Sequence, residues 1–226
     1  HLSEELEIPY VQEVVANSIA LKAMYGEIGT AIELGGQDAK IIFFQRDKRT
    51  GELQVADMRM NGSCAGGTGA FIDEIAALLN VPADEFEQLA ARGKTVYSIS
   101  GRCGVFAKSD IQPLINQGAK AGDVAASIFY AVVNQTIAGL AQGRKIGGNV
   151  LYLGGPLTFL PQLKKSFDKT LGVTGICPEN SLYFVALGAA LYSDKELDLA
   201  GVVEKLHAYS ATATYAFNPP LFRDEA

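Results

Sequence analysis

The first sixty positions of the chain change from a helical to a strand-like spacing of apolar residues. Residues 11–25 carry apolar side chains at intervals of three and four, which predicts a helix that Gly26 ends. Residues 30–34, 39–44 and 53–60 are short apolar or alternating runs separated by turn-forming residues. They predict three strands in a small antiparallel meander.

Helical spacing dominates the rest of the chain. It predicts helices over residues 70–80, 82–93, 107–117, 121–144, 160–170 and 181–192, and strands over 95–99 and 149–153. The helix at 121–144 has alanine and apolar residues on more than one face, so we expect it to be buried. After His207 no strong periodicity remains, and we interpret residues 196–226 as a linker or tail.

The composition is that of a globular protein and argues against several classes of function. Of 226 residues, 48% are hydrophobic and 19% are charged, and the net charge of -6 argues against a nucleic-acid binder. We expect no membrane association, because no apolar run is long enough to cross a bilayer, and no signal-peptide pattern is visible. Three cysteines are too few for a disulfide framework, which predicts a reducing, cytoplasmic location.

A pair of glycines follows the first predicted strand. Gly35 and Gly36 let the backbone approach a ligand closely, and the amides of their turn can point at phosphate oxygens. Gln37 and Asp38, next in the chain, can hold Mg²⁺ through water or orient an attacking water. The alternative is a plain hairpin turn without a ligand.

A second pair, Gly154 and Gly155, lies between a predicted strand and a helix. Such a junction suits a nucleotide, whose phosphates or ribose can pack against bare backbone and a helix N-terminus. Taken together, the two glycine pairs indicate a nucleotide cleft. Neither matches the P-loop pattern or the Rossmann fingerprint, so those two folds are excluded.

Cys64 and Cys103 each lie in a glycine-flanked turn immediately before a predicted helix. The partial positive charge of a helix N-terminus lowers the pKa of a thiol and stabilises a metal-thiolate centre. Two such cysteines are half of the four that a [4Fe-4S] cluster requires, and a symmetric dimer would supply four. The alternative is two buried, inert cysteines. Cys177 has no glycine-rich surroundings, and we expect it to be structural.

Three strings in this order resemble the 2-hydroxyacyl-CoA dehydratase activators and the related ATPase subunits of benzoyl-CoA reductases. They are IELGGQDAK (residues 32–40), NGSCAGGTGAF (61–71) and GRCGVFAKSD (101–110). LYLGGP (151–156) and VALGAAL (185–191) fit the later nucleotide and C-terminal motifs of the same family. The resemblance extends over residues 11–192, most of the chain.

The resemblance implies an α/β fold of the actin-like ATPase type, shared with sugar kinases and heat-shock-protein ATPases. This chain would be mainly the second half of that fold, a mixed sheet flanked by helices. The implied domain spans residues 1–195, with a cluster-binding segment at 61–118. Family members are homodimers that use ATP and Mg²⁺ and hold one [4Fe-4S] cluster between the subunits. The cluster passes one low-potential electron to a 2-hydroxyacyl-CoA dehydratase or a CoA-ester reductase, after reduction by a protein such as ferredoxin or flavodoxin.

The same resemblance implies a role for individual residues. Cys64 and Cys103 would be the cluster ligands, and Gln37 and Asp38 would be the catalytic residues of the second phosphate loop. The cofactor-binding residues would be Gly35, Gly36, Gly67, Thr68, Gly69, Gly154 and Gly155.

The sequence also departs from the family pattern. The first phosphate loop of the family is absent from these 226 residues, so we expect weak or no ATP turnover from this chain alone. Glu33 stands where many members have Asp, and Lys108 and Asp110 where Glu is common. Lys108 would put a cation one turn from the cluster. Two alternatives stay open, an actin-like sugar or small-acid kinase relative and a non-catalytic module of a larger protein.

Overall fold

Helices flank both faces of a four-stranded sheet in the computed structural model, which describes residues 2–61, 66–101, 104–194 and 196–212. The helices are α1 (Leu2–Glu5), α2 (Glu13–Met24), α3 (Gly69–Leu78), α4 (Ala83–Ala91), α5 (Gly104–Asn116), α6 (Ala121–Thr136), α7 (Gly155–Phe159), α8 (Pro161–Leu171), α9 (Phe184–Tyr192) and α10 (Leu199–Thr212). A π-helical turn, Ile137–Ala141, continues α6. The strands are β1 (Thr30–Leu34), β2 (Ala39–Arg46), β3 (Leu53–Met60) and β4 (Val150–Leu153).

The strands lie in the order β3-β2-β1-β4. β1 pairs antiparallel with β2 and β2 antiparallel with β3, which confirms the predicted meander. β4 adds a parallel strand on the other side of β1, where Leu153 lies opposite Glu33. Because parallel strands end at the same edge of a sheet, the residues that follow β1 and β4 are neighbours. This pairing brings the two glycine pairs to one place.

Successive side chains of β1 and β2 alternate between two apolar layers, as the pleat of a strand requires. Ile32 and Ile41 face a large cluster that includes residues of α3, α4, α6 and α8. Ala31 and Ile42 face a smaller cluster that includes residues of α2 and α9. The result is a mixed sheet covered by helices on both faces, the architecture that the family resemblance implies.

α6 is the central helix, and it is buried as predicted. Its buried residues include Val124, Ile128 and Val132, which lie at helical spacing in the larger cluster. Together with the π-helical turn it forms a helix of 21 residues, Ala121–Ala141, with the length and hydropathy of a membrane span. The expectation that no run reaches that length is therefore corrected. Since 61% of its most apolar window is buried among other elements, it is equally typical of a core helix.

The prediction of a strand over residues 95–99 is wrong. The backbone amides of Lys94 and Thr95 donate to Asp123 Oδ1, at 2.7 and 3.0 Å, and that of Tyr97 donates to Ser127 Oγ, at 2.8 Å. Asp123 and Ser127 are one turn apart on α6. Side chains of a helix therefore satisfy the amides that a neighbouring strand would otherwise pair, and the segment does not join the sheet.

Other helix boundaries also differ from the predictions. The predicted helix over 160–170 is preceded by a separate short helix, α7, which starts at Gly155 directly after β4. α5 starts at Gly104 rather than at residue 107. The region interpreted as a linker contains α10, whose Lys205 Nζ lies 2.5 Å from the carboxylate of Glu7.

Candidate functional site

The turn after β1 is hydrogen-bonded to the start of α3. Gly35 N donates to the carbonyl of Asp38 at 2.7 Å, which closes the turn. The amides of Gly69 and Ala70 then donate to the carbonyls of Gly35 and Gly36, at 3.0 and 2.7 Å. The first turn of α3 is thus fixed to the first glycine pair by two backbone hydrogen bonds.

The second glycine pair lies against the end of β1. Gly154 has φ +85°, and a Cβ at this position would overlap the carbonyl oxygen of Leu34, so both conformation and space require glycine. A Cβ at Gly69 would lie 3.2 Å from Pro156 Cγ and 3.4 Å from Gly35 O. The structure therefore brings Gly35, Gly69 and Gly154 together, and we call residues 35–36, 69 and 154–155 the glycine edge.

Part of the glycine edge is open. No atom lies within 4 Å of the position that a Cβ would take at Gly36 or at Gly155, so bare backbone faces free space there. Gln37 is exposed and Asp38 is half-buried on the same turn. Open glycine backbone beside an amide and a carboxylate fits a phosphate with its Mg²⁺.

Not every residue of the 67–69 segment faces this edge. Thr68 is fully buried, and its carbonyl accepts the amide of Ile72 at 3.4 Å. Gly67, with φ +81°, packs on α6, where a Cβ would lie 3.2 Å from Thr136 Oγ1. Of the three residues, Gly69 is the one that reaches the first glycine pair.

A buried charged cluster lies beside the glycine edge, centred on Glu33, which is two residues before Gly35. Lys40 is 1% exposed, and its Nζ lies 2.6 Å from Glu13 Oε1 and 3.3 Å from Glu33 Oε1. Glu33 and Lys40 are opposite each other in the β1–β2 register, and Asn17 Nδ2 donates to the second oxygen of Glu33. These contacts connect the end of β1 to the first two turns of α2.

Burial and charge act in opposite directions in this cluster. Burial raises the pKa of Glu33, although the charge of Lys40 and its hydrogen bond oppose the shift. Burial lowers the pKa of Lys40, but the hydrogen bond to Glu13 and the charge of Glu33 outweigh burial, and the pKa is raised. The sequence did not suggest a role for Glu13, Asn17 or Lys40. The one available signal was a lysine at the start of an otherwise apolar strand.

Cys64 and Cys103 lie outside the described residues, but the segments on either side of them are described. Gly67 follows Cys64 and packs on α6, and Gly101 precedes Cys103 and also packs on α6, where a Cβ would overlap the carbonyl oxygen of Ala131. Within the described ranges there is no group of three or more His, Cys, Asp or Glu side chains that could hold a metal ion.

The helices after the two cysteine segments are joined by an ion pair. Lys108 Nζ of α5 lies 2.6 Å from Glu74 Oε1 of α3, and the other oxygen of Glu74 occupies the space that a Cβ would take at Gly104. The Glu74 carboxylate therefore lies at the first residue of α5, where its negative charge interacts favourably with the helix dipole. Lys108 has an anionic partner, so its charge is compensated locally.

Cys177 contacts α7, the short helix that contains Gly155. It is half-buried, and its Sγ is 3.9 Å from Thr158 Oγ1. The same hydroxyl donates to the carbonyl of Gly154 at 2.7 Å and contacts Ser181 Oγ at 2.7 Å. These contacts support the turn after β4 and fit the structural role expected for this cysteine.

Known proteins are similar to this chain in both sequence and fold. The profile of the BadF/BadG/BcrA/BcrD ATPase family matches residues 2–193. The chain is 30% identical over 186 residues to the (R)-2-hydroxyglutaryl-CoA dehydratase activating ATPase of Acidaminococcus fermentans. That match covers 82% of this chain and 68% of the relative.

Two solved structures have the same architecture. Component A of the (R)-2-hydroxyglutaryl-CoA dehydratase of Acidaminococcus fermentans is similar with a TM-score of 0.70 and 30% identity, over 81% of this chain and 68% of that one. The activator of the 2-hydroxyisocaproyl-CoA dehydratase from Clostridium difficile, with bound ADPNP, has a TM-score of 0.69 and 25% identity, over 92% of this chain and 72% of that one. The fold is that of the actin-like ATPases, and the chain belongs to the BadF/BadG/BcrA/BcrD ATPase family.

Proposed function

We propose that this protein is an ATP-dependent activator that donates a low-potential electron to a 2-hydroxyacyl-CoA dehydratase or a related CoA-ester reductase. The similar proteins from Acidaminococcus fermentans and Clostridium difficile are named as activators of such dehydratases. The electron would leave a [4Fe-4S] cluster shared by two subunits of a homodimer. A protein such as ferredoxin or flavodoxin would supply it.

The glycine edge supports the nucleotide half of the proposal. Open backbone at Gly36 and Gly155 fits phosphate and nucleoside, and the similar activator from Clostridium difficile was solved with ADPNP. Gln37 and Asp38 would orient the attacking water and hold Mg²⁺ through water, since both lie on the turn after β1, Gln37 exposed and Asp38 half-buried. Gly67 and Thr68 would act indirectly, through the position of α3.

The cysteine segments support the cluster half. Two thiolates from each chain make the four that such a cluster takes, and when bound it supplies one-electron transfer at low potential. Cys64 and Cys103 would be the ligands. Each precedes the start of a helix, and those helices, α3 and α5, are joined through Glu74 and Lys108.

One observation supports a coupling between nucleotide binding and the cluster. The amides of Gly69 and Ala70, at the start of α3, donate to the carbonyls of Gly35 and Gly36. A change of that turn on nucleotide binding would therefore displace the start of α3, five residues after Cys64. Hydrogen-bonded backbone of this kind is a contiguous contact through which two sites can be coupled.

Anaerobic reconstitution with iron and sulfide tests the cluster. The chain is expected to form a dimer with about two irons per chain, half of one cube. Cys64→Ser and Cys103→Ser are expected to lose most of that iron, and Cys177→Ser, the matched control, to keep it. Equal iron content in the parent and both variants would contradict the assignment of Cys64 and Cys103 as cluster ligands. ATP-dependent phosphorylation of a sugar or small acid that survives both substitutions would favour the kinase alternative.

A further inference from the structure

A groove between α4, α6 and α8 has buried apolar residues at its base and lysine side chains along its sides. Its volume is about 280 Å³. Ala90 and Phe129 line it and are buried, whereas Lys94, Lys165 and Lys169 line it and are exposed. We call it the lysine groove. None of the described residues that line it belongs to the glycine edge, so the two places are separate.

The fold holds the lysines of this groove at defined places. The amide of Lys94 donates to Asp123 Oδ1 of α6 at 2.7 Å, which fixes the backbone that carries this side chain. Nζ of Lys169 lies 5.4 Å from the centroid of the Tyr130 ring, a distance at which a cation and an aromatic ring attract each other. Lys165 is one turn before Lys169 on α8, so both project from the same side of the helix. Three cations therefore border one small space.

The lysines of the groove have no ion-pair partner in the described part of the chain. None of the three ammonium groups forms an ion pair there. Asp168, the single acid of α8, is engaged elsewhere, because it accepts hydrogen bonds from the Tyr152 hydroxyl at 2.9 Å and the Gly175 amide at 2.8 Å. Lysines one turn apart also repel each other, which costs stability. In a chain whose net charge is -6, such a group of lysines indicates a counter-ion from outside the chain.

Two carboxylates lie at the border of the lysine groove, and backbone amides hold both of them. Asp123 Oδ1 accepts the amides of Lys94 and Thr95. Glu87 Oε1 accepts the amide of Gln162, which lines the groove, at 2.8 Å. The hydrogen bonds from its two amides lower the pKa of Asp123, whereas burial raises the pKa of Glu87. Two acids that are bonded to the backbone do not neutralise three lysines, so the groove stays positive.

We propose that the lysine groove binds a small organic anion that carries phosphate. Lysine binds phosphate as a point charge, whereas the planar fork of arginine matches carboxylate, and no arginine is among the described residues that line the groove. Ala126 and the ring of Tyr130 offer apolar surface to the organic part. The volume is close to the lower limit of ligand pockets, about 300 Å³, so the ligand is small. This site is additional to the proposed nucleotide site and does not depend on it.

Calorimetric titration of the full chain with inorganic pyrophosphate, at low salt and without Mg²⁺, tests the site. The parent should bind pyrophosphate, and Lys165→Gln and Lys169→Gln should each weaken binding about fivefold, the contribution of one exposed ion pair. Glutamine favours a helix as lysine does, so α8 should stay intact. Lys164→Gln is the matched control, because it removes the same charge from α8 at a position that does not line the groove. It should bind pyrophosphate like the parent.

The same titrations separate the lysine groove from the glycine edge. Gly155→Ala should leave the affinity of the groove unchanged. Its loss in Gly155→Ala with parental binding in Lys165→Gln would assign the anion to the glycine edge and overturn the inference. So would equal weakening in Lys164→Gln and Lys165→Gln, no binding by the parent at millimolar pyrophosphate, or binding of polyglutamate in place of pyrophosphate, which would indicate an acidic protein partner. Binding of pyrophosphate in the groove without any binding of ADPNP would overturn the nucleotide proposal alone.

Discussion

The glycine edge and the contact between α3 and α5 hold their segments by different means. At the glycine edge the contacts are made by backbone, as between the amide of Gly69 and the carbonyl of Gly35 and between Gly154 and the end of β1. Between α3 and α5 the carboxylate of Glu74 fills the space beside Gly104 and pairs with Lys108. A backbone contact tolerates no added atom, whereas a side-chain contact can be adjusted by substitution. We therefore expect a substitution at Gly154, where the edge is closed, to have the larger effect on stability.

Gly154→Ala should have the largest effect on stability. Its positive φ and the overlap of a Cβ with Leu34 O leave no room for alanine, so the loss should be about 4 kcal/mol or more. Gly155→Ala is the control, because its Cβ would face open space. It should change stability by less than about 1 kcal/mol but weaken nucleotide binding. Urea unfolding and calorimetry with ADPNP measure both, and equal stability of the two variants would refute the close approach.

Lys40→Met should cause the next largest loss of stability, because it leaves the buried Glu33 carboxylate without its cation. The cost should be about 3 kcal/mol near neutral pH. Lys48→Met, at an exposed position in the β2–β3 turn, is the control and should be close to neutral. Urea unfolding of both variants at pH 8 makes the comparison.

The effect of Lys40→Met should also depend on pH. Burial raises the pKa of Glu33 above its ordinary value of 4.5, so the folded state binds the proton more tightly and stability falls as the pH rises through this range. Without Lys40 the pKa of Glu33 rises further, and the interval of falling stability extends to higher pH. The difference between variant and parent should therefore be smallest below pH 4.5 and grow above it. A difference independent of pH would exclude Glu33 as its source.

Removal of the Glu74–Lys108 ion pair should have the smallest effect on stability. Its side chains are 43% and 42% exposed, so a double-mutant cycle with Glu74→Gln and Lys108→Met should give a coupling of about 0.5 kcal/mol. Glu74→Gln should cost somewhat more than Lys108→Met, because the carboxylate also lies at the start of α5. Thermal unfolding in low and high salt measures this, and coupling that persists in high salt would contradict a solvent-exposed pair.

The local pattern of the sequence predicted the parts of the fold that depend on it. The meander followed from alternating runs and turn residues, and the burial of α6 followed from its alanine-rich apolar faces. The segment 95–99 was misassigned because its pairing partners are side chains of α6, which spacing along the segment does not reveal. α10 was missed because its apolar residues, such as Leu199 at 74% exposure, form no consistent buried face.

The candidate site was predicted in part for a similar reason. Motifs identified Gly35, Gly36 and Gly154, since glycine at a strand end has a local signature. Lys40 has none, because its significance comes from partners on two other elements, Glu13 of α2 and Glu33 of β1. The positions of Cys64 and Cys103 as ligands stay a prediction.

The most direct test is whether nucleotide bound at the glycine edge changes the rate at which iron is removed from the cluster. After anaerobic reconstitution, removal of iron by a chelator is followed with and without Mg²⁺ and ADPNP, with nucleotide binding confirmed by calorimetry on the same sample. Because the turn at Gly35 and Gly36 is hydrogen-bonded to the start of α3, bound nucleotide should change the rate of iron removal several-fold. An unchanged rate with nucleotide bound, or no binding of nucleotide at all, would contradict the account.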